Sequence, residues 1–318
     1  MAEIGKDIVK AKSLLEQGEL VAIPTETVYG LAGNALDSNA VVKIFKVKDR
    51  PQFDPLIVHV ANFQQAKELV ESFPEKAEKL AARFWPGPLT FLLKKKSFIP
   101  DLVTSGMDTV GIRCPDHDVT RSLLQSLSFP LAAPSANPFG YVSPTRPEHV
   151  NDQLGNKIQY ILDGGECRVG IESTIIGFEN DSPTVFRLGG LTIEDIEKVI
   201  GKVDIQLNSS SNPKTPGQLR SHYSPRKKVA WGTLSELISQ YPTVKTGILA
   251  FQKKVAGIDP ANQIVLSDTG NLEEAAQHLF AALRELDKKG IEIILAEALP
   301  DIGLGKAIND RLRRASAK

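Results

Sequence analysis

Cysteine is nearly absent from this chain, with only Cys114 and Cys167 among 318 residues. Two isolated thiols build neither a disulfide framework nor a C-x-x-C motif. Long apolar runs are missing too. No stretch of about 18 apolar residues occurs, which argues against a membrane span. The opening segment MAEIGKDIVKAKSLLEQ has neither the apolar core nor the small-residue cleavage site of a secretory signal, so a cytoplasmic protein is expected. Several catalytic signatures are lacking: no GxGxxG, HExxH or GxSxG occurs. Gly303-Leu304-Gly305-Lys306-Ala307 contains Gly-Lys but lacks the upstream glycine and the Ser/Thr of a P-loop. The five histidines and two cysteines show no zinc spacing. These absences argue against a P-loop ATPase, a Rossmann dehydrogenase and a zinc enzyme.

Charge of one sign is missing as well. Lysine and arginine total 38, as do aspartate and glutamate. The balance is uneven along the chain: residues 1–205 hold 22 basic against 27 acidic side chains, and residues 206–318 hold 16 against 11. The first part is therefore no bulk cationic surface, and an anion site there has to be made by a few placed cations. Aromatic residues are 6% of the chain, few for a protein that reads RNA by stacking.

What is present is an α/β pattern in two parts. Apolar runs at 20–23, 56–60, 89–93, 109–113, 158–162, 172–176 and 184–188 predict strands, and helical spacing predicts helices at 6–17, 62–71, 75–84 and 193–200. Residues 206–228, rich in Ser, Pro and Gly, predict a linker, with Ser221-His222-Tyr223-Ser224-Pro225 as an island that packs on something. Residues 229–318 predict a smaller domain, with strands at 246–251, 262–266 and 291–296 and a helix at 271–289. The domains expected are 1–205 and 229–318, joined by 206–228. Arg311-Leu312-Arg313-Arg314 reads as the basic end of a last helix.

The densest chemistry lies between Pro24 and Pro55. Pro24, Thr25 and Thr27 follow the apolar run 20–23, and a polar loop leads to a helix with Val41, Val42, Ile44 and Phe45 on its apolar face. Lys43 and Lys46 fit a solvated face near a helix end. Lys48 and Arg50 straddle one residue before Pro51 and offer two fixed cations at a strand-end loop, where α/β sheets bind ligands. Arg113, at the end of a strand, suits a bidentate carboxylate, or a salt bridge to Asp116 or Asp118. His59 reads as a packed side chain or a ligand. With Arg187 and the Ser/Thr-rich loops, these cations suit a triphosphate beside an amino acid, with catalysis by positioning and charge neutralisation.

Pro24-Thr25-Glu26-Thr27-Val28-Tyr29-Gly30-Leu31 followed by Lys48-Asp49-Arg50-Pro51 resembles the threonylcarbamoyl-AMP synthase family, the YrdC-type enzymes of tRNA modification, in their long two-domain form. Lys48-x-Arg50 and Ser135-x-Asn137 match its two signatures. The resemblance implies a twisted mixed-sheet YrdC-like domain with a large open groove and a smaller Rossmann-like α/β C-terminal domain. It implies that L-threonine, bicarbonate and ATP are joined into threonylcarbamoyl-AMP with release of pyrophosphate, Mg²⁺ arriving with ATP and no organic cofactor. By the same resemblance Lys48 and Arg50 stabilise charge. Asp54, Thr109, Ser135, Asn137, Ser143, Arg187 and Tyr223 join them around ATP, Asp54 standing where relatives often have asparagine. Thr27, His59, Arg113, Ala133 and Ser173 hold L-threonine, and Tyr223 closes over the nucleotide. The product passes to a tRNA threonylcarbamoyl-transfer complex, with tRNA contact as a further partner. Two other readings stand beside this one. The first is a non-catalytic RNA-binding module with a cationic groove. The second is a carbamoyltransferase, whose acylphosphatase and zinc-finger segments are not visible here.

Overall fold

Every residue of Val21–Ile23 is buried, as in a strand covered on both faces. In this computed structural model, which describes residues 1–179, 182–207, 215–216, 221–241 and 245–317, that strand belongs to an eleven-stranded sheet. Its spatial order is Glu3–Gly5, Tyr160–Leu162, Val21–Ile23, Gly30–Asn34, Leu131–Ala132, Ile57–His59, Thr109–Arg113, Leu89–Lys94, Thr174–Glu179, Ser182–Arg187 and Asp204–Ile205. The pairing is mixed: Val21–Ile23 runs parallel to Tyr160–Leu162 and antiparallel to Gly30–Asn34.

Gly30–Asn34 is a strand where the sequence reads as a polar loop. Its apolar content is low because two of its five positions are glycines packed close against neighbouring side chains. A Cβ at Gly33 would lie 2.9 Å from the Leu20 side chain, and one at Gly30 would lie 3.1 Å from Ala133. The helix that follows, Ser38–Lys48, is capped by Asp37, whose side chain accepts from the Asn39 N–H. Its buried face is Ala40, Val41, Ile44 and Phe45. Val42 is exposed instead, because one residue advances a helix by about 100° and takes it off that face. Lys48 is the last helical residue, and Asp49 ends the helix in the left-handed region at φ 52°.

The later part of the chain forms a second sheet, ordered Lys228–Gly232, Ile293–Glu297, Thr246–Ala250, Gln263–Val265, with every pairing parallel. Helices Leu272–Lys288 and Leu304–Ser316 carry it onto the first part. One apolar cluster is continuous from Ile44, Val58 and Phe91 through Tyr223 to Phe280, Leu283 and Leu312. Of the expected linker, residues 208–214 and 217–220 lie outside the described residues. No helix among the described residues is long and apolar enough to cross a membrane.

Candidate active site

One cavity collects Arg50, His59, Arg113, Ala133, Ser135, Ser173, Arg187 and Tyr223, together with Thr25, Glu172, Pro216 and His222. It opens where the Pro24 loop, three strand ends and the linker meet. Its free space is about 50 Å³ measured to water centres.

Arg50 enters from the loop after Ser38–Lys48. Its Nε donates to the Asp54 carbonyl at 3.0 Å and its Nη2 to the Pro55 carbonyl at 2.7 Å. Nη2 also lies 2.9 Å from Asp54 Oδ2 as an ion pair, although neither Asp54 oxygen meets hydrogen-bond geometry. The contact is therefore chiefly electrostatic. Burial raises the Asp54 pKa, and the neighbouring Arg50 and Lys48 charges oppose that. Burial also lowers the Arg50 pKa. Asp54 is absent from the cavity wall and orients Arg50 from behind.

Lys48 is buried and its Nζ donates to the carbonyls of Ser135 and Asn137, each at 2.5 Å. The K-x-R and S-x-N segments are thus one structural unit. Burial, with Arg50 adding repulsion, pushes the Lys48 pKa well below its ordinary value. Asn137 donates from Nδ2 to the Pro138 and Tyr141 carbonyls, both at 2.9 Å, and so shapes the loop. Ser135 and Ala133 line the cavity, while Ala133 N–H donates to Ile57 O at 3.1 Å.

Arg113 emerges from its strand beside His59, the two being register partners on neighbouring parallel strands. It meets neither Asp116 nor Asp118. Its Nη2 lies 2.7 Å from Glu26 Oε2, while Asp116 pairs with Arg168. The chain turns at Cys114-Pro115, so the acids that follow point away from the sheet end. Arg113 Nε also donates to Gly87 O at 3.3 Å. His59 Nδ1 lies 3.2 Å from Ile57 O. Burial and the Arg113 charge push its pKa down to about 3, so the ring is neutral at neutral pH. Thr27 is buried and shares a 2.8 Å hydroxyl contact with Thr25. Thr25, not Thr27, faces the cavity.

Arg187 donates to Ser173 through Nε to the carbonyl and Nη2 to Oγ, both at 3.0 Å, and through Nη1 to Pro216 O at 3.2 Å. Burial lowers its pKa to about 10, so it keeps its charge. Ser173 Oγ also contacts Thr90 Oγ1 at 2.7 Å. Ser143 sits behind the wall, where its Oγ donates to Glu172 Oε1 at 2.6 Å. Thr109 lines a narrower adjoining cleft, which shares Ile57 and Pro216 with the main cavity.

Tyr223 closes the other side. It adopts φ 62° and stacks on Phe280 with centroids 5.6 Å apart. The His222 ring lies 4.2 Å away. Three residues of this assembly escape the sequence reading. Glu26 lies within the quoted Pro24–Leu31 motif but is overshadowed there by hydroxyl groups. Glu172 reads as the first residue of the strand run 172–176, whereas the strand begins at Thr174. Arg311 reads as a helix-end cation, yet it occupies the buried helix face of Ile308, Leu312 and Ala315. An arginine at apolar spacing is the available signal.

Comparison with known proteins fits this arrangement. The Sua5/YciO/YrdC family model, described as telomere recombination, matches residues 13–189, and the model described as threonylcarbamoyl-AMP synthase, C-terminal domain, matches residues 191–317. The threonylcarbamoyl-AMP synthase of Pyrococcus abyssi is 43% identical, with 96% of this chain and 93% of that protein covered. That of Bacillus subtilis is 40% identical, with 97% and 92% covered. The crystal structure of P. abyssi Sua5 complexed with L-threonine superimposes with a TM-score of 0.92 at 40% identity, covering 99% of this chain and 97% of the other.

Proposed function

The chain belongs to the threonylcarbamoyl-AMP synthase family, and from that premise we propose that it makes threonylcarbamoyl-AMP from L-threonine, bicarbonate and ATP as a nucleotidyltransferase. The threonine amine and bicarbonate combine to a carbamate with loss of water. A carbamate oxygen then forms a bond to the α-phosphorus as the bond to pyrophosphate breaks. The observation that carries this reading is the convergence of Arg50, Arg113 and Arg187, all buried, on one cavity.

Buried guanidiniums suit carboxylate and phosphate because their planar forks are pre-organised and their charge is poorly screened. Arg113 receives the threonine carboxylate, displacing Glu26. His59, neutral beside it, packs without adding a competing charge. Arg50 and Arg187 receive phosphate oxygens, and Tyr223 covers the nucleotide. Lys48 acts through the backbone, holding the Ser135–Asn137 segment so that the Ser135 side chain meets the substrates. Catalysis follows from alignment and charge neutralisation, with no covalent protein intermediate. Mg²⁺ is carried by ATP. Among the described residues no group of three or more His, Cys, Asp or Glu is gathered for a metal. The product goes on to a tRNA threonylcarbamoyl-transfer complex.

The test is pyrophosphate release from ATP and Mg²⁺. Release that requires both L-threonine and bicarbonate, with L-serine much weaker, is expected. Folded protein that releases none under any combination would remove the reading.

A further inference from the structure

Arg311 heads the large side chains that are fully buried, at zero exposure. It belongs to the second part of the chain and reaches into the wall of the cavity in the first. Nη1 donates to Leu188 O at 2.5 Å and to Ala307 O at 3.4 Å. Nε and Nη2 both donate to Glu172 Oε2, at 3.2 and 3.1 Å. The guanidinium carbon lies 5.5 Å from the centroid of the Tyr223 ring. An apolar side chain would fill this place at a smaller desolvation cost, so packing alone does not explain an arginine here.

Its two main contacts, Glu172 and Tyr223, both line the cavity. The other oxygen of Glu172 accepts from Ser143. One side chain of the helix Leu304–Ser316 thus holds two walls of the pocket and balances the carboxylate in one of them. We infer that Arg311 is a positioning residue for ATP. It neutralises Glu172 beside the phosphate-binding arginine Arg187 and seats the Tyr223 ring against the nucleotide. The inference rests on reading this cavity as the ATP site.

Charge makes the effect selective. ATP carries several negative charges, whereas L-threonine is a zwitterion with no net charge. Removing Arg311 leaves Glu172 unbalanced, which repels ATP and leaves threonine nearly unaffected.

The experiment is calorimetric titration of Mg-ATP and of L-threonine, separately, into folded wild type, R311M, R311K and the double variant R311M/E172Q. R311M is expected to weaken ATP by about tenfold or more while threonine stays within about twofold. R311K, which keeps the charge, stays closer to wild type. Adding E172Q to R311M restores most of the ATP affinity, because the repelling carboxylate is gone. A purely structural role would weaken both ligands together and gain nothing from E172Q. Unchanged ATP affinity in folded R311M, equal losses for both ligands, or failure of E172Q to restore ATP would each overturn the inference. Should R311M not fold, R311Q carries the same comparison, since it too leaves Glu172 charged. Wild type that binds neither ligand would overturn the reading of the pocket itself, a result separable from any behaviour of the variants.

Discussion

Glu26 and Arg113 meet as a buried ion pair, Oε2 to Nη2 at 2.7 Å, and neither Glu26 oxygen has a hydrogen-bond donor among the described residues. Glu26 sits against the Nη2 arm of the guanidinium that, on the function proposed above, takes the substrate carboxylate. Replacing it by glutamine strands the Arg113 charge and is expected to lower stability by about 3 kcal/mol. A carboxylate ligand then restores what was lost. L-Threonine should therefore raise the Tm of Glu26→Gln by more than it raises that of wild type, as thermal unfolding with and without the ligand will show. Equal shifts in the two proteins would count against Arg113 as the carboxylate site.

Arg50→Ala should weaken ATP by about 10- to 100-fold, the worth of charge-assisted hydrogen bonds. It also removes the only cation paired with Asp54 among the described ion pairs, so the variant should be less stable as well as less active. Asp54→Asn in the same background removes the stranded carboxylate. The double variant should recover stability, measured by urea unfolding, without recovering ATP binding. Recovery of both would place the phosphate contact elsewhere.

Burial holds His59 and His149 at about 3 and lowers His222 well below its ordinary value. In the unfolded chain each takes up a proton below about 6.5. For His59 and His149 the contribution to stability is therefore complete above about pH 6.5 and is lost as pH falls from there towards 3. Each adds a slope of about 1.4 kcal/mol per pH unit within that window. His149 lies outside the cavity and accepts from the Thr145 N–H at 3.2 Å, which glutamine can mimic. Urea unfolding of His149→Gln between pH 6 and pH 4 should show a slope smaller by one proton, with activity at pH 7.5 unchanged. An unaltered slope would show that His149 titrates normally.

Arg284, on the helix Leu272–Lys288, donates to the carbonyls of Val142, Ser143 and His149 and to Gln153 Oε1. These bonds tie the second sheet's helix to the loop after Ser135–Asn137 and to the helix Pro147–Leu154. Arg284→Met leaves several buried acceptors unpaired and should cost at least about 3 kcal/mol. Because the shared apolar cluster and the Arg311 contacts still join the two parts, calorimetry should show one unfolding transition in both proteins, at a lower Tm in the variant. A single transition at unchanged Tm would show that the parts are held together without it.

The alternation of strands and helices and the parallel second sheet are legible from periodicity, because apolar runs such as Leu20–Ile23 and Ile291–Ala296 carry their own signal. Gly30–Asn34 is not legible. Its glycines are set by the approach of Leu20 and Ala133, which only the folded sheet brings near. The cations at strand and helix ends are legible as candidates, but their protein partners are not. Nothing in the spacing says that Arg113 turns to Glu26, 87 positions earlier, or that Lys48 spends its donors on the carbonyls of Ser135 and Asn137. Val42 shows the opposite limit, where hydrophobicity alone puts a residue inside that helical geometry turns out to solvent.

The strand order also sets a timetable. Among the described residues Glu3–Gly5 joins the sheet through Tyr160–Leu162 alone, which also separates it from Val21–Ile23. During synthesis the first strand has no neighbour until more than 150 residues later, and non-local closures of that span are slow. A nascent chain stopped before Tyr160 therefore exposes a raw parallel edge at Val21–Ile23. Such an edge invites pairing with other chains, so a ribosome pause in this interval would leave the nascent chain open to aggregation.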